Sequence, residues 1–134
     1  MIMAWTIEYY EQADTTQPAE VFEDDLLQRL PKLAGKLARI AVALQQSGHR
    51  LGGGLIEPCH GYSGMWEMRA IFNQWLGREL FGFEGDRVVL LHGYVKRGGQ
   101  EASKPDLEAA FAYWKDYSIT HKVSPVEEEK DESV

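Results

Sequence analysis

Arg69, Arg78, Lys96 and Arg97 are the side chains whose types and spacing suggest chemistry in this sequence. Arg69 closes the segment MWEMR, Arg78 opens RELFGF, and Lys96 and Arg97 close VVLLHGYVKR. Each stands at or near the end of an expected strand, and in a small curved sheet such ends converge. Arginine offers phosphate a planar fork of donors, and lysine offers a compact charge. His92 and Tyr94 lie two apart, so they share one face of their strand, and His60 can approach from a loop. A polyanion held by these cations, with histidine or tyrosine moving protons, suffices for metal-free attack of an RNA 2′-hydroxyl on its neighbouring phosphate.

Each of these residues also has a plainer reading. Arg69 can pair across strands with Glu79 or another surface acid, a contact contributing about 0.2 to 1 kcal/mol. Arg78 can be a solvated residue at a strand start, and Lys96 and Arg97 can be charges that discourage edge pairing. His92 sits amid valine, leucine and tyrosine, the surroundings of a satisfied, mostly buried histidine. The neighbours Cys59 and His60 lack the repeated ligand spacing of a zinc site, so no metal is expected. Gly52, Gly53 and Gly54 lack the Lys-Ser/Thr of a phosphate-cradling loop. Trp75, in an expected linker, is the tryptophan most open to base stacking.

The elements that must position these side chains follow from periodicity. AWTIEYY, residues 4 to 10, sets Trp5, Ile7 and Tyr9 against Thr6, Glu8 and Tyr10, the alternation of a half-buried strand. Pro18 opens a helix over about 18 to 29, and Pro31 opens a second whose stripe of Leu33, Leu37, Ile40, Ala41 and Leu44 stops near Gly48. The glycine-rich segment HRLGGGLIEPCHGYSG reads as a loop. Strands are expected at 65 to 72, 78 to 83 and about 88 to 95, the last two joined by a tight turn through Glu84, Gly85, Asp86 and Arg87. Ser103, with Asp106 three residues on, caps a final helix. This order predicts an α+β two-layer sandwich with the helices on one face of a small curved sheet and the other face open to a ligand.

Composition fits one such domain. The 134 residues are 44% hydrophobic, enough for a single core. The net charge of −7 is uneven, because five acids and only Lys130 fall after Ser124. Residues 1 to 123 are therefore expected to fold as one mildly acidic domain, and residues 124 to 134 to form a disordered acidic tail able to compete with RNA for the basic site. Neither a long apolar run nor a leader is visible, and the single cysteine forms no intramolecular disulfide, so a soluble cytoplasmic chain is expected.

MWEMR, Arg78 at the head of the next strand and VVLLHGYVKR before a proline-led helix resemble the phage-derived branch of the RelE/HigB-type toxins of type II toxin–antitoxin systems. The resemblance covers roughly residues 4 to 117 and is most specific in LLHGYVKR. It implies a RelE-like fold and a ribosome-dependent mRNA endonuclease without cofactor. It also implies a small antitoxin, helix-turn-helix or otherwise DNA-binding, that covers the site and supplies the only link to DNA. By motif position Arg78 matches the arginine that stabilises the cleaved phosphate, Arg69 closes the matching strand segment, and Lys96 and Arg97 match the basic pair. The expected catalytic set is Arg69, Arg78, His92, Lys96 and Arg97, with His60, Tyr94, Lys96, Arg97 and Lys104 contacting RNA. Beyond the basic pair the segment through Tyr117 adds only Lys104 and Lys115, which motivates a second reading as a catalytically weak or inactive RelE-like protein-binding module.

Overall fold

A computed structural model of the protein describes residues 4–99 and 101–121; the expected acidic tail lies outside the described residues. The elements run β1 (Thr6–Tyr9), α1 (Pro18–Arg29), α2 (Pro31–Ser47), β2 (Ile56–Pro58), β3 (Met65–Phe72), β4 (Trp75–Glu84), β5 (Arg87–Arg97) and α3 (Lys104–Thr120). The strands form one mixed sheet in the order β1-β5-β4-β3-β2, with β1 parallel to β5 and the other pairs antiparallel. The α+β class and the order of the expected elements hold.

Local chemistry sets the boundaries. Pro18 and Pro31 occupy the first turns of α1 and α2, where a missing N–H costs nothing. Leu30 between them ends one helix and starts the next, which folds the pair into a hairpin. Leu33, Leu37, Ile40 and Leu44 of α2 are all buried, as their spacing requires. In the β4–β5 turn Glu84 pairs with Arg87 and Gly85 takes a φ of +61°, a backbone state open to glycine. Ser103 caps α3, its hydroxyl accepting from the Asp106 N–H at 3.4 Å.

Two expectations are corrected. The first concerns the loop after Gly48, which contains a short strand, β2, pairing with β3 through Ile56↔Met68, Glu57↔Glu67 and Pro58↔Trp66. Three residues ending in proline, next to a glycine cluster, leave no periodicity to recognise, and proline is tolerated because β2 is the sheet edge. The second concerns the helices, which cover both sheet faces rather than one. The α1–α2 hairpin packs on Met68, Phe81, Val88 and Leu90, whereas Ala110, Trp114 and Tyr117 of α3 pack on Met65, Leu80, Val89 and Leu91. The cause is visible in VVLL itself: Val88 to Leu91 are all buried, and a run without polar alternation needs cover on both sides.

The approach of α3 is close. A Cβ on Gly82 would lie 2.6 Å from the Trp114 ring, so the helix packs against sheet backbone there. A register shift between Leu80 and Phe81 pairs Leu80 with His92 but Phe81 with Leu90, leaving Leu91 as the extra residue of a bulge.

Candidate functional site

Cross-strand register decides which cations meet. Arg69 pairs directly with Arg78, and Arg78 with Tyr94, so the three share one face across β3, β4 and β5. Lys96, two residues beyond Tyr94, lies on the same face opposite Leu76. This is the face that α3 covers in part, because Tyr94 belongs to the cluster around Trp114. Arg97 points to the other side: its guanidinium stands over the Trp75 ring at 5.2 Å. That contact also places Trp75 within β4 as a stacking partner for Arg97 rather than in a linker.

Acids on the same face organise the cations. Arg78 donates through Nη1 to both carboxylate oxygens of Glu67, at 2.7 and 2.9 Å. Arg69 Nη1 stands 2.8 Å from Glu57 and 3.9 Å from Glu67. Glu67 is 4% exposed, and burial raises its pKa above the usual carboxylate range while Arg78 and Arg69 draw it back. Lys96 is 9% exposed. Its pKa is lowered, first by burial and then by repulsion from Arg78, with Glu67 opposing. Arg78 and Lys96 therefore feel one another and share Glu67 as counter-charge. Arg69 pairs across strands with a surface acid as expected, but that acid is not Glu79. Glu79 is opposite Met68 and Gly93, on the face of the α1–α2 hairpin, and the acid that meets Arg69 is Glu57 on the unexpected strand β2.

A cleft of about 210 Å³ opens beside this ladder, lined by Glu57, His60, Glu67, Arg78, Ala102 and Leu107 among others. His60 is thus brought to Arg78 and Glu67, as expected for a loop histidine. Cys59 lines the same cleft, and burial followed by the Glu67 charge pushes its thiol up to about 12. The Tyr94 hydroxyl accepts from the Ser103 N–H at 3.4 Å, and burial raises its pKa, so the phenol holds its proton. Lys104 opens α3 and is exposed. His92 shares the face but is engaged: its Nε2 stands 2.6 Å from Asp106 Oδ1, and Asp106 also accepts from the Ser103 hydroxyl at 2.5 Å. The histidine thereby fastens the first turn of α3 to β5. Among the described residues no group of three or more His, Cys, Asp or Glu side chains is arranged to hold a metal ion.

The arrangement can receive an anion beside paired guanidinium groups, with a half-compensated buried carboxyl and a protonated phenol within the same ladder. Glu67 is the functional candidate that sequence reasoning missed. The signal was present, since Glu67 and Arg69 are two apart on one strand and so share a face, but without register nothing linked Glu67 to Arg78.

The family described as phage derived protein Gp49-like (DUF891) matches residues 25–115, well over half of the chain. The chain belongs to this family. The Gp49-like family is phage-derived and toxin-like, and it is associated with toxin–antitoxin systems. Its match runs from the last part of α1 through most of α3, and so includes Glu67, Arg69, Arg78, Tyr94 and Lys96. No curated protein matches the chain. Among the described residues no helix is long and apolar enough to cross a membrane.

Proposed function

We propose that this Gp49-like protein is the toxin of a type II toxin–antitoxin pair, of RelE/HigB type, and that it cleaves mRNA on the ribosome by metal-free attack of a 2′-hydroxyl. The observation that carries the reading is Arg78 held against buried Glu67, with Arg69 and Lys96 on the same sheet face. A phosphate entering the cleft exchanges the carboxylate contact of Arg78 for its own oxygens, and the guanidinium fork then stabilises the charge that grows in the transition state. Glu67, released next to the nucleophile and with its pKa raised by burial, takes the 2′-hydroxyl proton. The 2′-oxygen bonds to phosphorus as the bond to the 5′-oxygen breaks, and the leaving oxygen receives a proton from Tyr94. The products are a 2′,3′-cyclic phosphate and a 5′-hydroxyl.

Of the residues expected from sequence, Arg69, Arg78 and Lys96 bind phosphate, while His60 and Lys104 border the RNA path. Arg97, on the far face over Trp75, and His92, tied to Asp106, serve the architecture of the strand and of α3. An antitoxin that covers the cleft keeps the protein silent in the cell. The test is cleavage of ribosome-bound mRNA by wild type, Arg78→Ala and Glu67→Gln. Wild type cuts, and loss of Arg78 slows cutting by roughly 10² to 10³. A folded wild-type protein that leaves ribosome-bound mRNA intact refutes the reading. One observation favours a second reading, a protein-binding module without activity: Glu57 and Glu67 already neutralise Arg69 and Arg78. Under that reading, binding to programmed ribosomes does not weaken with salt or on mutation of Lys96.

A further inference from the structure

On the opposite side of the sheet, the α1–α2 hairpin and β1 enclose a second pocket, of about 460 Å³, within the range of ligand sites. Its walls are apolar, with Leu27, Leu37, Ala38 and Leu90 among them, and its charged groups are all acids: Glu23, Asp24 and Glu79. Among the described residues no lysine, arginine or histidine lines it. Glu79 is 2% exposed, and its Oε2, buried against the pocket, has no hydrogen-bond partner among the described residues. An unpartnered carboxyl oxygen in an apolar wall is costly unless something brings it a donor. At the rim Leu27 is 60% exposed, an apolar side chain left in water beside an acidic helix.

We propose that this pocket receives one cationic side chain, a lysine or arginine, projecting from an otherwise apolar segment of a protein partner. The apolar stem lies along Leu27, Leu37 and Ala38, and the ammonium or guanidinium head reaches Glu79 and Glu23. Charge complementarity selects the occupant: an apolar body satisfies the walls, and a cation meets a floor on which Glu79, Glu23 and Asp24 are all acids. The proposal stands apart from RNA cleavage, which uses the other face. The titratable groups around Glu79 are Tyr9 from β1 and Glu23 and Asp24 from α1; α2 contributes only uncharged side chains to the pocket. Burial, then a hydrogen bond with Glu23 and the Glu23 charge, raise the Glu79 pKa well above the usual carboxylate range, so the Glu79–Glu23 pair favours keeping a proton in the free protein. Arrival of the cation releases that proton to solvent, and affinity therefore rises with pH.

The test is a titration of the full chain, followed by amide chemical shifts, with a short acetylated and amidated leucine–alanine helix bearing one central lysine. The same helix with norleucine at that position, and hexylammonium chloride alone, complete the set. At pH 8 the lysine peptide binds roughly 10- to 100-fold more tightly than the norleucine peptide, and its shifts cluster in α1, α2 and β1. Glu79→Gln, which keeps shape and hydrogen bonding, brings the ratio close to one and removes the rise with pH. Leu27→Ser, at an exposed position that spares the core, weakens both peptides while leaving their ratio. Equal binding of the two peptides, or no binding of either, overturns the proposal. Hexylammonium binding as tightly as the lysine peptide also overturns it, by assigning the pocket to small amines.

Discussion

Replacing Arg78 by methionine separates what the Arg78–Glu67 pair does for the fold from what it does for RNA. Methionine keeps the length of the aliphatic stem and removes both hydrogen bonds to Glu67, whose side chain is 5% exposed. Stripping one partner from a buried pair costs about 3 to 5 kcal/mol because the remaining charge is uncompensated. Here Arg69 Nη1 stays 3.9 Å from Glu67, which lowers the expected loss to about 2 to 3 kcal/mol. The loss depends on pH in a fixed direction. Burial already raises the Glu67 carboxyl in the folded protein, and removing Arg78, which draws it down, raises it further. A carboxyl raised on folding costs nothing while folded and unfolded chains both hold the proton. The deficit is therefore small below the unfolded value of about 4.3 and grows as pH climbs through the folded value. Urea unfolding followed by tryptophan fluorescence measures it. With a slope of about 2 kcal/mol per molar urea, the midpoint falls by about 1 to 1.5 M at pH 7 and by much less at pH 4, each relative to wild type at the same pH. Adding Glu67→Gln to Arg78→Met removes the buried charge and restores stability to within about 1 kcal/mol of wild type. The double variant nevertheless leaves ribosome-bound mRNA uncut. An Arg78→Met protein as stable as wild type between pH 6 and 8, or a deficit that Glu67→Gln does not relieve, refutes the argument.

Other expectations concern packing, capping and reactivity. Gly82→Ala drives a methyl into the Trp114 ring at 2.6 Å and lowers stability by about 1 to 3 kcal/mol, read as a fall in Tm. Ser103→Ala removes the cap of α3 and the donor to Asp106, costing about 1 kcal/mol and speeding amide exchange in the first turn of that helix. With its thiol pushed up to about 12, Cys59 is about one part in ten thousand thiolate at pH 8 and reacts with disulfide reagents far more slowly folded than in denaturant. Fast labelling of the native protein at that pH contradicts the assigned burial.

The parts of the fold that local chemistry dictates were legible in the sequence. Pro18, Pro31 and Ser103 announce the three helices, and alternation in MWEMRAIF announces β3, because each signal lies within a few residues of what it controls. β2 was not legible, since Ile56, Glu57 and Pro58 are strand only by virtue of their pairing with β3. For the site, Arg69, Arg78, Lys96 and Arg97 were grouped from strand ends, and register sets the first three on one sheet face and Arg97 on the other. The acids that hold them were not, because Glu57 and Glu67 acquire their roles through register across two strand pairs. The side chosen by α3 depends on tertiary packing against Gly82 and Val89, to which no periodicity in the helix itself points.

The bulge at Leu91 carries a consequence for how this strand encodes its chemistry. Before it, Val89 and Leu91 face α3; after it, His92 and Tyr94 do so, while Gly93 lies against Phe22 of α1. β5 is thus written in two phases joined by one spare residue. Strict alternation from Val89 would send Gly93, Val95 and Arg97 toward the cleft and turn Tyr94 and Lys96 to the α1–α2 hairpin. Deleting Leu91 itself leaves Leu90 followed by His92 in strict alternation and keeps Tyr94 and Lys96 on their face, whereas deleting a single residue beyond the bulge, such as Gly93, exchanges the two faces from there onward. What keeps the tyrosine and lysine beside Arg78 is the count of residues beyond the bulge rather than their identity, so in that half of the strand a change of length is the more damaging mutation.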